Sequence, residues 1–193
     1  INPNFFEAHN NLGNIYQKNN KLSDAEESYR TVIALNPNFV KAHYNLGNLF
    51  HALGKFNDSE KCYRKALELK PNYAEAYSNL GNALEEQGQL EEALSSYAHA
   101  ITLKNDIDYL FGHYLHLRIR LCIWLNLSDD LNKLINKINS GEKASYPFPL
   151  LSLIDDPDIH KKSAEIYLND KYPKSNFFPK ISNNYSHQKI KTG

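Results

Sequence analysis

Apolar side chains recur every three or four residues through the first half of the chain, which is the spacing of amphipathic helices. The whole pattern returns with a fixed period, so that three blocks align without a gap: 2–35, 36–69 and 70–103. Each block holds two apolar stripes separated by a polar stretch, which predicts a helical hairpin. The positions that recur are a Leu-Gly pair, a tyrosine and a proline: Leu12-Gly13, Leu46-Gly47 and Leu80-Gly81; Tyr29, Tyr63 and Tyr97; Pro3, Pro37 and Pro71.

Local signals mark where the predicted helices begin and end. Gly54 and Gly88 lie at the turn inside their blocks, where a left-handed residue ends a helix at little cost. A Ser or Asn followed by Glu three residues later stands before two of the second helices. This spacing predicts side-chain capping by the following pairs: Ser23 with Glu26, and Asn57 with Glu60.

A fixed period of this length is typical of hairpins that stack, because one hairpin cannot bury its apolar face alone. The blocks resemble the tetratricopeptide repeat, whose pattern combines a bulky residue, Leu-Gly, a second aromatic residue between two small ones, and proline. Here the bulky position holds His9, His43 and Tyr77, and the small positions hold Ala25, Ser59 and Ala93, then Val32, Ala66 and Ala100. We therefore predict an all-α fold, with a right-handed solenoid of three tetratricopeptide repeats over residues 1–105.

The repeat pattern is lost after residue 103, where Asn105 occupies the position of the next proline. We interpret residues 106–170 as capping or connecting helices. In chain order we expect a buried helix over 109–124, a helix from a Ser128 cap to Asn139, an irregular crossing at Pro147-Phe148-Pro149, and a helix from Asp156-Pro157 to about Asn169. Residues 171–193 are predicted to form an extended linker, and the last five look like the start of a strand.

The region after the repeats resembles the SPINDLY-type bacterial relatives of the protein O-linked N-acetylglucosamine transferases. The matching segments are Tyr109-Leu110-Phe111-Gly112-His113 through Leu121-Cys122-Ile123-Trp124, Ser140-Gly141-Glu142-Lys143-Ala144-Ser145-Tyr146-Pro147-Phe148-Pro149-Leu150-Leu151, Ala164-Glu165-Ile166-Tyr167 and Lys171-Tyr172-Pro173. The resemblance implies a parent glycosyltransferase that moves a sugar from a UDP- or GDP-sugar, UDP-N-acetylglucosamine first, to serine or threonine of proteins. The linker would lead to its catalytic domain. No catalytic or cofactor-binding residue is assigned in this chain, and we expect it to neither transfer sugar nor bind UDP.

Two rows of asparagines follow the repeat and are the candidate site residues: Asn11, Asn45 and Asn79, then, three residues further, Asn14, Asn48 and Asn82. In a tetratricopeptide repeat the first row lines the concave face. An asparagine side chain offers the same acceptor and donors as a peptide unit, so a ladder of them can bind extended backbone without reading its sequence. The alternative is that asparagine is simply common at these positions. We predict that both rows bind protein or extended peptide substrates.

Composition excludes several other classes of function. Lys and Arg total 22, as do Asp and Glu, and a formal charge of zero argues against a nucleic-acid partner. No apolar run is long enough to span a membrane.

Cys62 and Cys122 are far apart and belong to no C-x-x-C pair, which predicts no metal site and a cytoplasmic location. His113 and His116 have no third metal ligand nearby, so we expect them to have a packing or interfacial role.

A free-standing adaptor or scaffold is the alternative function for such an array. Chaperone-binding modules clamp a carboxylate with Lys and Arg, whereas the corresponding groove positions here include Asn10, Tyr44 and Ser78. This weakens a carboxylate clamp but leaves adaptors in general open. The chain has no methionine, and Ile1-Asn2-Pro3 matches the end of a block, so we expect the chain to be cut at its beginning.

Overall fold

The computed structural model describes residues 3–173, so the predicted strand at 189–193 and most of the predicted linker lie outside the described residues. Between residues 3 and 173 the chain is helical, with short connections and no strand. Its helices are α1 (Pro3–Lys18), α2 (Leu22–Leu35), α3 (Val40–Ala52), α4 (Phe56–Leu69), α5 (Ala74–Glu86), α6 (Leu90–Leu103), α7 (Leu110–Arg120), α8 (Leu127–Asn139), α9 (Pro147–Leu150) and α10 (Pro157–Lys171). None of these helices is long and apolar enough to cross a bilayer.

The first six helices form the three predicted hairpins, and each hairpin turns at a left-handed residue. Asn20, Gly54 and Gly88 have φ angles of 58°, 71° and 76°. In each turn the next backbone N–H reaches back five residues to a carbonyl, as Lys55 N does to Phe50 O at 2.9 Å. This arrangement satisfies carbonyls at the helix end, and it confirms the predicted turn positions of the two glycines.

The predicted side-chain caps of α2 and α4 are wrong. Both helices begin one residue before Ser23 and Asn57, and no side chain caps either of them. The turn itself sets the start, because its backbone hydrogen bonds place Lys21 and Lys55 directly before the first helical residue. Ser23 and Asn57 therefore lie already within the first turn of the helix.

The repeated Leu-Gly pair allows the two helices of a hairpin to approach each other. Tyr63 is 1% exposed and packs from α4 onto α3 at Gly47. A Cβ atom on Gly47 would lie 2.7 Å from Cε1 of this ring, closer than the two atoms can come. Only glycine permits this approach, and the same contact recurs between Gly13 and Tyr29.

Helix α7 continues the array although the sequence pattern has been lost. Cys122 lies one repeat period after Gly88, has a φ angle of 56°, and forms the same turn through Ile123 N and Arg118 O at 2.9 Å. Leu117 packs in the core of the third repeat, whereas Leu115 packs in a second core with α8, α9 and α10. Helix α7 therefore joins the repeats to the C-terminal helices.

The repeat geometry ends after this turn, and several local predictions fail there. The buried helix expected to reach residue 124 stops at Arg120, because the left-handed turn ends it, and Trp124 is 58% exposed. Helix α8 begins before Ser128 and after Asn126, which is left-handed and makes no side-chain cap. The expected crossing at Pro147 is instead the short helix α9, because proline is favourable in a first helical turn.

The start of α10 is as predicted. The side chain of Asp156 accepts hydrogen bonds from the backbone N–H groups of Asp158 at 2.9 Å and Ile159 at 3.3 Å. Pro157 occupies the first helical position. At its other end α10 is held by Asp170, which forms an ion pair with Lys143 at 2.5 Å. The C-terminal helices are thus fixed against α7 and the segment that follows α8.

Candidate peptide-binding groove

The asparagine rows lie on the concave side of the array. The first helices of neighbouring repeats contact each other directly, α1 with α3 and α3 with α5. The second helices are bridged by long side chains, as by Arg64 of α4 and Glu92 of α6 at 2.7 Å. The array therefore curves toward its first helices, whose outward faces form an extended concave surface of the kind that repeat proteins use for binding.

The first row is only partly engaged within the repeats. Asn11 is exposed and makes no side-chain hydrogen bond to any described residue. Asn45 Nδ2 donates to Oδ1 of Asn10 at 2.9 Å. Asn79 Nδ2 donates to the Tyr44 hydroxyl at 3.1 Å and to Oδ1 of Asn48 at 2.9 Å. Within the described part of the chain the Oδ1 atoms of this row accept no hydrogen bond, and its peptide-binding role stays a prediction.

The second row has a structural partner in each repeat. The buried tyrosine hydroxyl of the second helix donates to the asparagine Oδ1 atom in three equivalent bonds: Tyr29 to Asn14 at 2.7 Å, Tyr63 to Asn48 at 2.8 Å, and Tyr97 to Asn82 at 2.8 Å. Burial raises the pKa of Tyr29 to about 12, so its hydroxyl stays a donor at neutral pH. This row therefore offers a ligand chiefly its amide N–H groups. Both residues of the pair recur in every block, 15 positions apart, and that joint recurrence is the sequence signal for the bond.

Two histidines extend the asparagine rows onto α7. His113 stands one repeat period after Asn79, and His116 stands one repeat period after Asn82. His113 Nε2 is hydrogen bonded to Oε2 of Glu85 at 2.7 Å, and His116 Nδ1 to Oγ of Ser152 at 2.9 Å. Sequence reasoning assigned these histidines a packing or interfacial role and missed their place in the rows. Following the period by position number, whatever the residue type, would have found it.

Glu85 is the electrostatic centre of the junction between the third repeat and α7. Its Oε2 atom accepts from the Tyr97 hydroxyl at 3.1 Å as well as from His113, and its Oε1 atom pairs with Arg120. Burial alone would raise the pKa of Glu85. The hydrogen bonds and charges of these neighbours outweigh burial and lower the pKa to about 2. Glu85 is therefore ionised and fully engaged in holding α7.

Two of the three groove positions that correspond to those of a carboxylate clamp are buried. Asn10 is 3% exposed and Ser78 is 8% exposed, and the third position, Tyr44, accepts a hydrogen bond from Asn79. The period brings these side chains into the contacts between neighbouring first helices. The expected place of Asn10 and Ser78 in an open groove is therefore wrong.

Comparison with known families agrees with this geometry. Two segments match the family described as "TPR repeat", residues 13–54 and 47–88, and residues 74–106 match "Tetratricopeptide repeat". Residues 13–106 are tetratricopeptide repeats. The predicted all-α repeat solenoid is thereby confirmed. No curated protein matches this chain.

Two solved structures show similar repeats. The first tetratricopeptide-repeat domain of Spaghetti (RPAP3), bound to the HSP90 peptide SRMEEVD, matches with a TM-score of 0.59 and 24% identity, over 61% of this chain and 93% of that one. A mutant O-GlcNAc transferase from Thermobaculum terrenum matches with a TM-score of 0.55 and 25% identity, over 58% of this chain. The match covers 22% of the transferase chain.

Proposed function

We propose that the concave surface binds extended segments of protein substrates through the first asparagine row, Asn11, Asn45 and Asn79. The supporting observation is that their Oδ1 atoms, spaced by the repeat along the groove, accept no hydrogen bond from the described residues. Each can accept a peptide N–H, while Asn11 and Asn45 also keep amide hydrogens for a peptide carbonyl. Peptide binding by the Spaghetti repeats is a precedent for this use of the fold.

We further propose that the chain is the substrate-recognition part of a protein O-GlcNAc transferase-like enzyme of the SPINDLY type. The enzyme would move a sugar from a UDP- or GDP-sugar, UDP-N-acetylglucosamine first, to serine or threonine. Two observations support this: the resemblance of the segments after residue 105, and the similarity of the repeats to those of a transferase. The transfer reaction would be carried out by residues outside this chain.

Groove binding is tested with a permanently unfolded probe, reduced and carboxymethylated lactalbumin, titrated into the chain. Asn11→Ala is the best variant, because Asn11 makes no internal side-chain hydrogen bond to a described residue and its loss should leave the fold intact. One lost neutral hydrogen bond should weaken binding about twofold to tenfold. Asn57→Ala, at an exposed asparagine of α4, is the matched control and should bind like the unchanged protein. Equal binding by both variants would refute the role of the row.

The enzyme assignment needs a separate test. Titration calorimetry of this chain with UDP should show no saturable binding. Saturable binding would contradict the proposal that the nucleotide sugar is used by residues outside this chain. The alternative is a free-standing adaptor, which the coverage of 93% of the Spaghetti domain favours. Transfer of a labelled sugar to protein by the longer parent would decide for the enzyme, and its absence with intact groove binding would decide for the adaptor.

A further inference from the structure

A cavity of about 370 Å³ opens on the concave surface where the third repeat meets α7. Three successive first helices supply most of its walls, and Tyr97 of α6 completes them. The first helices contribute the following residues: His51 from α3; Asn82, Glu85 and Glu86 from α5; His113 and Arg120 from α7. The volume lies at the lower end of the range of ligand pockets and has room for one long side chain. Because Asn82 lies one turn beyond Asn79, a peptide on the first asparagine row would pass directly over the opening.

The charges in this cavity do not cancel. Two carboxylates, Glu85 and Glu86, face one guanidinium, that of Arg120. Arg120 is paired with Glu85, and Glu86 forms no ion pair with any residue in the described range. The cavity therefore carries one uncompensated negative charge whenever its two histidines are neutral. A cationic group is the ligand that this charge attracts.

His51 leaves a polar atom without a partner beside this charge. Its Nε2 atom is buried and makes no hydrogen bond within the described structure. The equivalent residues of the other two repeats, Gln17 and Glu85, each accept a tyrosine hydroxyl at 3.1 Å. Buried polar nitrogens are nearly always paired in folded proteins, with protein groups or with water, and a ligand side chain that enters the cavity can supply this partner for Nε2.

We propose that this cavity binds one lysine or arginine side chain of a peptide lying along the first asparagine row. The carboxylate of Glu86 is the counter-ion, and Nε2 of His51, in the tautomer with its proton on Nδ1, accepts a hydrogen bond from the cationic nitrogen. The proposal rests on the proposed function, since the groove must hold the peptide backbone. It adds a sequence preference to a surface that otherwise reads only main-chain groups.

The test uses three capped amino acids as probes: N-acetyl-lysine N-methylamide and its glutamine and glutamate analogues. Each is titrated into the full chain, and the ring signals of His51 and His113 are followed by NMR. The lysine probe should cause saturable shifts, and the other two should not. Glu86→Gln should abolish the shifts, whereas Glu91→Gln, at an exposed glutamate of α6, should retain them. Shifts of equal size with the glutamine probe, or none with lysine, would overturn the proposal.

A second measurement separates this proposal from the groove function. Two 12-residue peptides that differ only by Lys or Gln at the centre are compared for binding to the unchanged chain and to Glu86→Gln. We expect the Lys peptide to bind the unchanged chain about fivefold more tightly, and the preference to disappear in the variant and at high salt. Equal binding of both peptides refutes the cavity but leaves groove binding intact. Failure of both peptides and of unfolded lactalbumin refutes groove binding and the cavity with it.

Discussion

Replacing Asn48 with alanine should destabilise the protein far more than the same change at Asn11, although both lie in the asparagine rows. Asn48 Oδ1 accepts from the Tyr63 hydroxyl at 2.8 Å and from Asn79 Nδ2 at 2.9 Å. Tyr63 is 1% exposed, so its buried hydroxyl would be left without its asparagine partner. The loss of this hydrogen bond and of the weaker one from Asn79 together should lower the free energy of unfolding by about 2–4 kcal/mol. At Asn11, which is exposed, the cost should stay below about 0.5 kcal/mol.

Urea unfolding followed by circular dichroism measures both variants. A double-mutant cycle with Tyr63→Phe then isolates the hydrogen bond, because phenylalanine removes the donor while keeping the ring. The combined variant should be less destabilised than the sum of the two single changes, by about 0.5–3 kcal/mol. Strict additivity, or an Asn48→Ala variant as stable as Asn11→Ala, would refute the structural role of the second row.

Three further predictions follow from contacts and burial. Gly47→Ala should lower the free energy of unfolding by about 1–3 kcal/mol in the same assay, because the buried Tyr63 ring has no room to move away from the added methyl group. An unchanged urea midpoint would contradict the close contact of α3 with the Tyr63 ring. Burial raises the pKa of Cys62 to about 11, so a thiol reagent at pH 8 should label the exposed Cys122 quickly and Cys62 slowly. Equal labelling rates of the two cysteines would contradict the burial of Cys62. The folded-state pKa of Glu85, about 2, lies below its ordinary 4.5, so its contribution to stability is complete above pH 4.5 and lost as the pH falls toward 2. The melting temperature of Glu85→Gln should therefore fall less steeply than that of the unchanged protein as the pH decreases over that range. Equal slopes of melting temperature against pH in the two proteins would count against the ion pairs of Glu85.

The sequence predicted the hairpins well because their determinants are local and repeated three times. Apolar spacing and the glycines at 54 and 88 need no knowledge of distant contacts. The start of α10 was predicted for the same reason, since Asp156 caps a helix that begins one residue later. The starts of α2 and α4 were not predicted correctly. The preceding turn determines them through backbone hydrogen bonds, which do not depend on the side chain. A Ser or Asn near a helix start is therefore weak evidence when a left-handed turn comes just before it.

The site was predicted less completely, because its decisive contacts join residues far apart in sequence. Reading residue types placed the six asparagines on one face but gave all of them one role. The bond from Tyr63 to Asn48 spans 15 positions, and that from Asn79 to Asn48 spans 31. The place of His113 in the first row was missed because it continues the row with a different residue type. In a repeat protein the position within the period indicates the place of a side chain even where the consensus residue has been replaced.

The two rows are linked, and the link bears on how a peptide would be held. Asn48 holds Asn79, so the second row orients part of the first. The ordering increases along the groove: Asn11 has no partner among the described residues, Asn45 has one, and Asn79 has two. A side chain that is already fixed loses less entropy on binding, a saving of about 0.5–1.5 kcal/mol for each such residue. The third repeat is therefore the best prepared part of the groove, and it is also the repeat that borders the anionic cavity. Backbone contacts and the proposed side-chain contact would thus act together at one end of the groove, where Glu85 joins the third repeat to α7.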